Sequence, residues 1–165
     1  LVDNTPREGF HNILQKIATL GWHIVVYLEA QDLEELSPFL KSLPTDIVFD
    51  HMARPDVSKG TNSKEFNLFR KLMENEKFWC KTSCPERLSK SGPKTNYADV
   101  KPFMKLLIEN YSERVLWGTD WPHPNMKSHM PDDGSLVDVL KEIAVTPEIQ
   151  KKLLVDNPSE LYWYN

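Results

Sequence analysis

Four short stretches of this chain gather side chains suited to acid–base and anion-binding chemistry. Asp50-His51-Met52-Ala53-Arg54-Pro55-Asp56 sets a histidine three residues before an arginine. Lys81-Thr82-Ser83-Cys84-Pro85-Glu86-Arg87 supplies a second arginine. Gly118-Thr119-Asp120-Trp121-Pro122-His123-Pro124-Asn125 carries an aspartate in a turn, and Tyr27-Leu28-Glu29 closes a fourth stretch. A carboxylate can take a proton from water, and an imidazole can donate to a carbonyl that gains charge. A guanidinium presents two parallel donors that match a carboxylate. The set suits hydrolysis of an anionic substrate. Each member also has a plainer reading. His51 is then a hydrogen-bonded structural residue, Asp120 a turn or cap, and Tyr27 a core residue. Arg54 and Arg87 become ion-pair partners, with Glu86 available, and His123 caps a loop. Glu29, Asp50 and Asp56 are read as structural.

What makes these stretches a group is their position. Each follows a short apolar run: Trp22–Leu28, Asp46–Phe49, Phe78–Thr82 and Val115–Trp117. The first, second and fourth are continuous rather than alternating, as strands covered on both faces are. Helical patterns separate them. Phe10, Ile13, Leu14 and Ile17 share a face that Gly21 can end. Leu33, Leu36, Leu40 and Leu43 follow Asp32 as N-cap, with Pro38 placed to split the segment. Phe66, Phe69, Leu72 and Met73 form a third pattern, and Phe103, Leu106 and Leu107 a fourth behind Asp99. Leu136, Val137, Leu140 and Ile143 form a fifth. Thr146-Pro147-Glu148 then reads as a cap and first turn, followed by Ile149, Leu153 and Leu154. The alternation predicts an α/β fold with a parallel sheet and right-handed crossovers, whose ligands sit at the carboxyl ends of the strands.

Composition narrows the class. The chain has 165 residues, 40% hydrophobic and 27% charged, with a net charge of −4. That balance suggests no nucleic-acid or membrane partner, and no apolar run approaches the roughly 20 residues of a membrane span. No signal peptide is visible in Leu1 to Phe10, and the chain does not begin with Met. Two cysteines, Cys80 and Cys84, do not make a disulfide framework. Cys80 reads as a small buried filler, and a cytoplasmic location is expected.

The strings DHMARPD, KTSCPERLSKSGP, RVLWGTDWPHPN, PDDGSLVDVL and LLVDNPSELYW resemble the amidohydrolase-related metal-dependent hydrolases. Within that family they resemble the lactonase branch that acts on 2-pyrone-4,6-dicarboxylate. The likeness runs from GWHIVVYLEA to DNPSELYW. It implies a (β/α)₈ TIM barrel, of which residues 1–165 would be a single partial domain, the C-terminal half with strands 5–8. The family's first-strand His-x-His pair occurs nowhere in the sequence. Ala53 stands where glycine is usual, Cys84 where a small residue is frequent, and Ser91–Tyr97 departs slightly. By resemblance the site is Asp120 and His51 as catalytic residues, with Arg54, Arg87 and Tyr27 binding substrate. Asp120 would be the general base and His51 would polarise the carbonyl. The implied substrate is a small lactone with two or three carboxylates, from the breakdown of aromatic compounds. No cofactor is expected, because the dicarboxylate branch works without metal. Relatives hold a divalent ion such as zinc, for which His51 and Asp120 alone would remain.

Three other readings stand beside this one. A metal-dependent decarboxylase or hydrolase of the wider family would show tightly bound zinc. A non-catalytic half-barrel interaction module would lack any longer parent reading frame. A flavodoxin-like phosphate binder would need a glycine-rich loop after a strand, which the sequence lacks. Half a barrel would also leave two sheet edges unpaired and an apolar inner face exposed, with Ile24, Val26, Ile47 or Val115 on it depending on register. The chain alone is therefore expected to self-associate and to be inactive.

Overall fold

The computed structural model describes residues 7–127 and 129–163. Helix α1 (Arg7–Ala18) leads into strand β1 (Ile24–Val26), α2 (Leu33–Ser42), β2 (Ile47–Phe49) and α3 (Lys64–Met73). Then come β3 (Phe78–Ser83), the single turn α4 (Pro85–Leu88), α5 (Lys101–Asn110) and β4 (Val115–Gly118). Short helices α6 (Asp133–Asp138), α7 (Leu140–Ile143), α8 (Pro147–Lys151) and α9 (Asn157–Trp163) follow. The strands pair in chain order, β1-β2-β3-β4, and every pair is parallel. The α/β alternation expected from the sequence is therefore the fold. Among the described residues, no helix is long and apolar enough to cross a membrane.

Side chains on a strand alternate between faces, and this register decides what the sheet covers. Ile47, Phe49, Phe78, Cys80 and Val115 face the helices, joined by the partly buried Ile24 and Val26. Phe66 and Phe69 of α3, Phe103 of α5 and Leu14 of α1 close over them. The rings meet edge-on, with Phe49–Phe69 at 5.3 Å and Phe66–Phe103 at 4.7 Å between centroids. The opposite face carries Val25, Val48, Trp79 and Leu116. Leu161 of α9 packs on the last three. The expectation that Ile24, Val26, Ile47 or Val115 lie on the inner face is thus corrected: it is one residue out of register. On the β1 side, Val25 is 48% exposed and Tyr27, just beyond the strand, 52%.

Other local expectations also change. The first strand is only Ile24–Val26, not Trp22–Leu28. Pro38 does not split α2, which runs unbroken through it with Ser37 Oγ donating to the Leu33 carbonyl. Asp32 stands at the N-cap of α2 without a side-chain cap bond. Asp99 precedes α5, whose N-cap is Val100, and serves the loop before it. Its carboxylate accepts from Ser89 Oγ (2.5 Å), Ser91 Oγ (2.7 Å) and the backbone N–H groups of Lys90 (2.7 Å) and Ser91 (3.1 Å). Burial opposes ionisation there, but these four donors outweigh it and hold the carboxyl at about 2. The helix after β4 is two short pieces, on which Val137 faces solvent. Thr146 does cap α8, accepting from the Ile149 N–H. Gly21 follows α1 with φ +68°, a conformation that costs glycine little.

Candidate active site

Because the strands are parallel, their carboxyl ends share one edge. Tyr27 lies just beyond β1, His51 just beyond β2, Cys84 to Arg87 beyond β3 and Asp120 beyond β4. The turns that aim these side chains are left-handed. His51, Met52, Ala53 and Arg54 have φ of 52°, 58°, 55° and 52° in succession, and the Arg54 N–H closes the turn on the His51 carbonyl at 2.9 Å. Cys84 (φ 64°), Asp120 (φ 71°) and His123 (φ 57°) share this conformation. It costs an L-residue roughly 1–2 kcal/mol, and such residues cluster where the fold holds functional groups.

Three of the expected residues make one hydrogen-bonded unit. Arg87 Nη2 donates to Asp120 Oδ2 at 2.7 Å and to His51 Nε2 at 2.9 Å. Arg87 Nε donates to Cys84 Sγ at 2.7 Å. His51 Nδ1 meets Ser83 Oγ at 2.8 Å, and Asp120 Oδ1 lies 3.4 Å from His51 Nε2. Burial lowers the His51 pKa, an effect opposed by Asp120 and Asp50 and reinforced by Arg87 and Arg54. The ring is therefore neutral at neutral pH. With Nε2 accepting from Arg87, the proton sits on Nδ1 and points at Ser83 Oγ. A serine hydroxyl donates as readily as it accepts, so Ser83 also permits the opposite tautomer, in which Nε2 becomes a donor.

Arg54 and Tyr27 stand beside this unit rather than within it. Arg54 Nε donates to Glu29 Oε1 at 2.8 Å, and its guanidinium lies over the Tyr27 ring, 5.1 Å from the centroid. The Tyr27 ring meets His51 edge-on at 5.9 Å. Tyr27, Arg54, Arg87, Asn125 and Lys127 line a cavity of about 720 Å³. Arg54 and Arg87 also line a smaller one of about 210 Å³, with Lys59 and Lys90. All five expected residues thus collect at one end of the sheet.

Behind them is a buried pair that the sequence reading assigned differently. Glu86 does not serve either arginine. It accepts from His123 Nδ1 at 3.1 Å, and His123 Nε2 faces Asp133 Oδ1 at 3.4 Å. Burial raises the Glu86 pKa. His123 is buried, at 3% exposure, and its ring serves Glu86 rather than only its own loop. Asp50 and Lys81 form an ion pair at 2.8 Å. Both cysteines are free and buried, and Cys80 is a core filler. Ser83, Cys84 and the Glu86–His123 pair carried no separate signal beyond lying next to residues of more obvious chemistry.

A parallel α/β sheet thus gathers arginine, histidine and aspartate at its carboxyl edge, a set able to bind anions and move protons. Residues 2–163 match the amidohydrolase family, and the chain belongs to it. It is 57% identical to the 2-pyrone-4,6-dicarboxylate hydrolase of Comamonas testosteroni, over 99% of this chain and 56% of that protein. A probable 2-pyrone-4,6-dicarboxylic acid hydrolase from Acinetobacter baumannii, solved with citric acid bound, superposes with a TM-score of 0.80. The identity there is 28%, over 96% of this chain and 58% of that one. An amidohydrolase from Burkholderia multivorans, solved with bound zinc, shares the fold at a TM-score of 0.74 and 15% identity, over 93% of this chain and 57% of that one. The chain therefore spans about half the length of the relatives it matches.

The zinc in that relative poses the question of fit here. His51, Cys84 and Asp120 each bring a ligand atom within 4.8 Å of the others, as do Glu86, Asp120 and His123. In the first group, Arg87 nitrogens already contact all three side chains. In the second, Glu86 and His123 are bonded to each other. As arranged, neither set fits a metal ion.

Proposed function

We propose that this chain supplies the carboxyl-edge half of an active site that hydrolyses carboxylate-bearing lactones of the 2-pyrone-4,6-dicarboxylate kind. The four strands then correspond to strands 5–8 of a (β/α)₈ barrel. The observation that carries the reading is the hydrogen-bonded set of His51, Arg87 and Asp120 where three parallel strands end, with Arg54 alongside. The name and identity of the Comamonas relative support the substrate class. The citrate in the Acinetobacter structure agrees with an anion-binding site in that protein.

The proposed chemistry needs no further group. Asp120 takes a proton from water as the oxygen attacks the lactone carbonyl carbon. The carbonyl oxygen gains charge and is met by His51 in its Nε2–H tautomer and by the Arg87 N–H, which turns to it from the ring nitrogen that no longer accepts. Collapse breaks the bond to the ring oxygen, which recovers the proton from Asp120. Arg54 keeps its Nη groups for a substrate carboxylate while Glu29 holds Nε. Metal-assisted hydrolysis, the second reading, has the three-atom clusters in its favour and the position of Arg87 against it.

The test is selectivity. Arg54→Lys keeps the charge but loses the fork. It should raise KM for the dicarboxylate by roughly tenfold or more, the scale of one charged hydrogen bond, and change KM for a mono-ester far less. Equal behaviour toward both substrates would make Arg54 structural.

A further inference from the structure

We propose that the Arg87 guanidinium is a built-in cation that stands in the place of a divalent metal ion and keeps a latent His51–Cys84–Asp120 metal site closed. Imidazole, thiolate and carboxylate are the ligand types that zinc and cobalt take, and three of them with an open fourth position make a binding site. Here the three lie within 4.8 Å of one another. What closes the set is geometric. Arg87 nitrogens lie 2.7 Å from Cys84 Sγ, 2.9 Å from His51 Nε2 and 2.7 Å from Asp120 Oδ2. Each contact directs an N–H at a lone pair that a metal would need.

Charge acts in the same direction. The guanidinium stays protonated at every accessible pH, so an arriving dication meets a fixed positive charge at contact distance. Arg87 is also held in place. Its side chain is 9% exposed, and it rides on α4, which starts directly from the left-handed residue Cys84. One side chain thus neutralises Asp120, occupies the histidine and covers the thiol. The inference concerns metal occupancy and does not rest on the lactone reading.

Cobalt(II) is the probe, because a thiolate–cobalt bond gives a near-ultraviolet charge-transfer band that reports Cys84 directly. The chelator-treated chain should show no such band, and zinc should not raise its melting temperature. Arg87→Met should gain the band and bind cobalt more than about 100-fold tighter than the unaltered chain, since the opposing charge is gone. Arg87→Gln, neutral but still polar, is the second variant should the first not fold by circular dichroism. Adding Cys84→Ser to either should abolish the band. A charge-transfer band in the unaltered chain would overturn the proposal whatever the variants do. So would two folded neutral variants that bind no cobalt. Absence of the band in the unaltered chain, with no zinc-induced rise in melting temperature, supports it even if neither variant folds.

Discussion

Ala53 shows how closely the local backbone is tied to the site. It sits inside the left-handed run that begins at His51, with φ 55°, and its methyl group is buried. Glycine would release roughly 1–2 kcal/mol of conformational cost, but it would lose about 0.8 kcal/mol of buried methyl and roughly 0.5–1 kcal/mol of chain entropy. These terms nearly cancel. Ala53→Gly should therefore change stability by less than about 0.5 kcal/mol, a size typical of surface substitutions, whereas Ala53→Val should cost about 2 kcal/mol or more because β-branching at positive φ is strongly disfavoured. Urea denaturation of both variants decides it. A tolerated valine would show that the turn is not held as described. The need for glycine-like backbone was visible in the sequence as a departure at Ala53, but the aim of His51 and Arg54 was not. It depends on four successive φ values that residue types alone do not dictate.

At the scale of elements, hydrogen bonds from distant side chains fasten the sheet. Arg114 donates to the carbonyls of Met73, Asn75 and Phe78, tying β4 to the end of α3 and the start of β3. Asn157, buried at the start of α9, donates from one nitrogen to Ser112 O and Val115 O, both at 2.7 Å. Asn157→Ala would leave two carbonyls without that donor, and an unsatisfied buried group costs about 1–3 kcal/mol. For a domain of this size that is a fall of several degrees in melting temperature. No change would mean that the carbonyls find other partners. The alternation of strands and helices, and the helix faces, were legible because Phe66, Phe69, Leu72 and Met73 recur at helical spacing and the β-rich runs are short. The inner and outer faces of the sheet were not. Ile24-Val25-Val26 and Ile47-Val48-Phe49 are apolar at every position, so they contain no alternation from which to read register. Pro38 misled in the other direction, since the packing of Leu33 and Leu40 outweighs one missing backbone donor.

For the molecule as a whole, β1 and β4 each have a single strand partner among the described residues. Trp22, Val25 and Tyr27 are exposed along the β1 side, and Tyr162 of α9 meets the His23 ring beside them. An unpaired edge beside apolar side chains favours association. The 165-residue chain should therefore sediment as an oligomer in a concentration-dependent way, and a monomer across the micromolar range would refute this. The family, the parallel sheet and the meeting of His51, Arg87 and Asp120 were all legible from strand-end residues, because parallel strands must deliver them to one edge. The inward commitment of Arg87 to Cys84 was not, because neither residue's type announces the other.

Asp120 is the proposed base in lactone hydrolysis. The direct measurement is steady-state hydrolysis of 2-pyrone-4,6-dicarboxylate by the whole protein and by its Asp120→Asn variant, with circular dichroism as the control for folding. Asparagine preserves the shape and can still accept from Arg87, but it cannot take a proton. The variant's kcat should fall by about 10²–10⁴ with an unchanged spectrum. Turnover near that of the unaltered protein, in a folded variant, would contradict it.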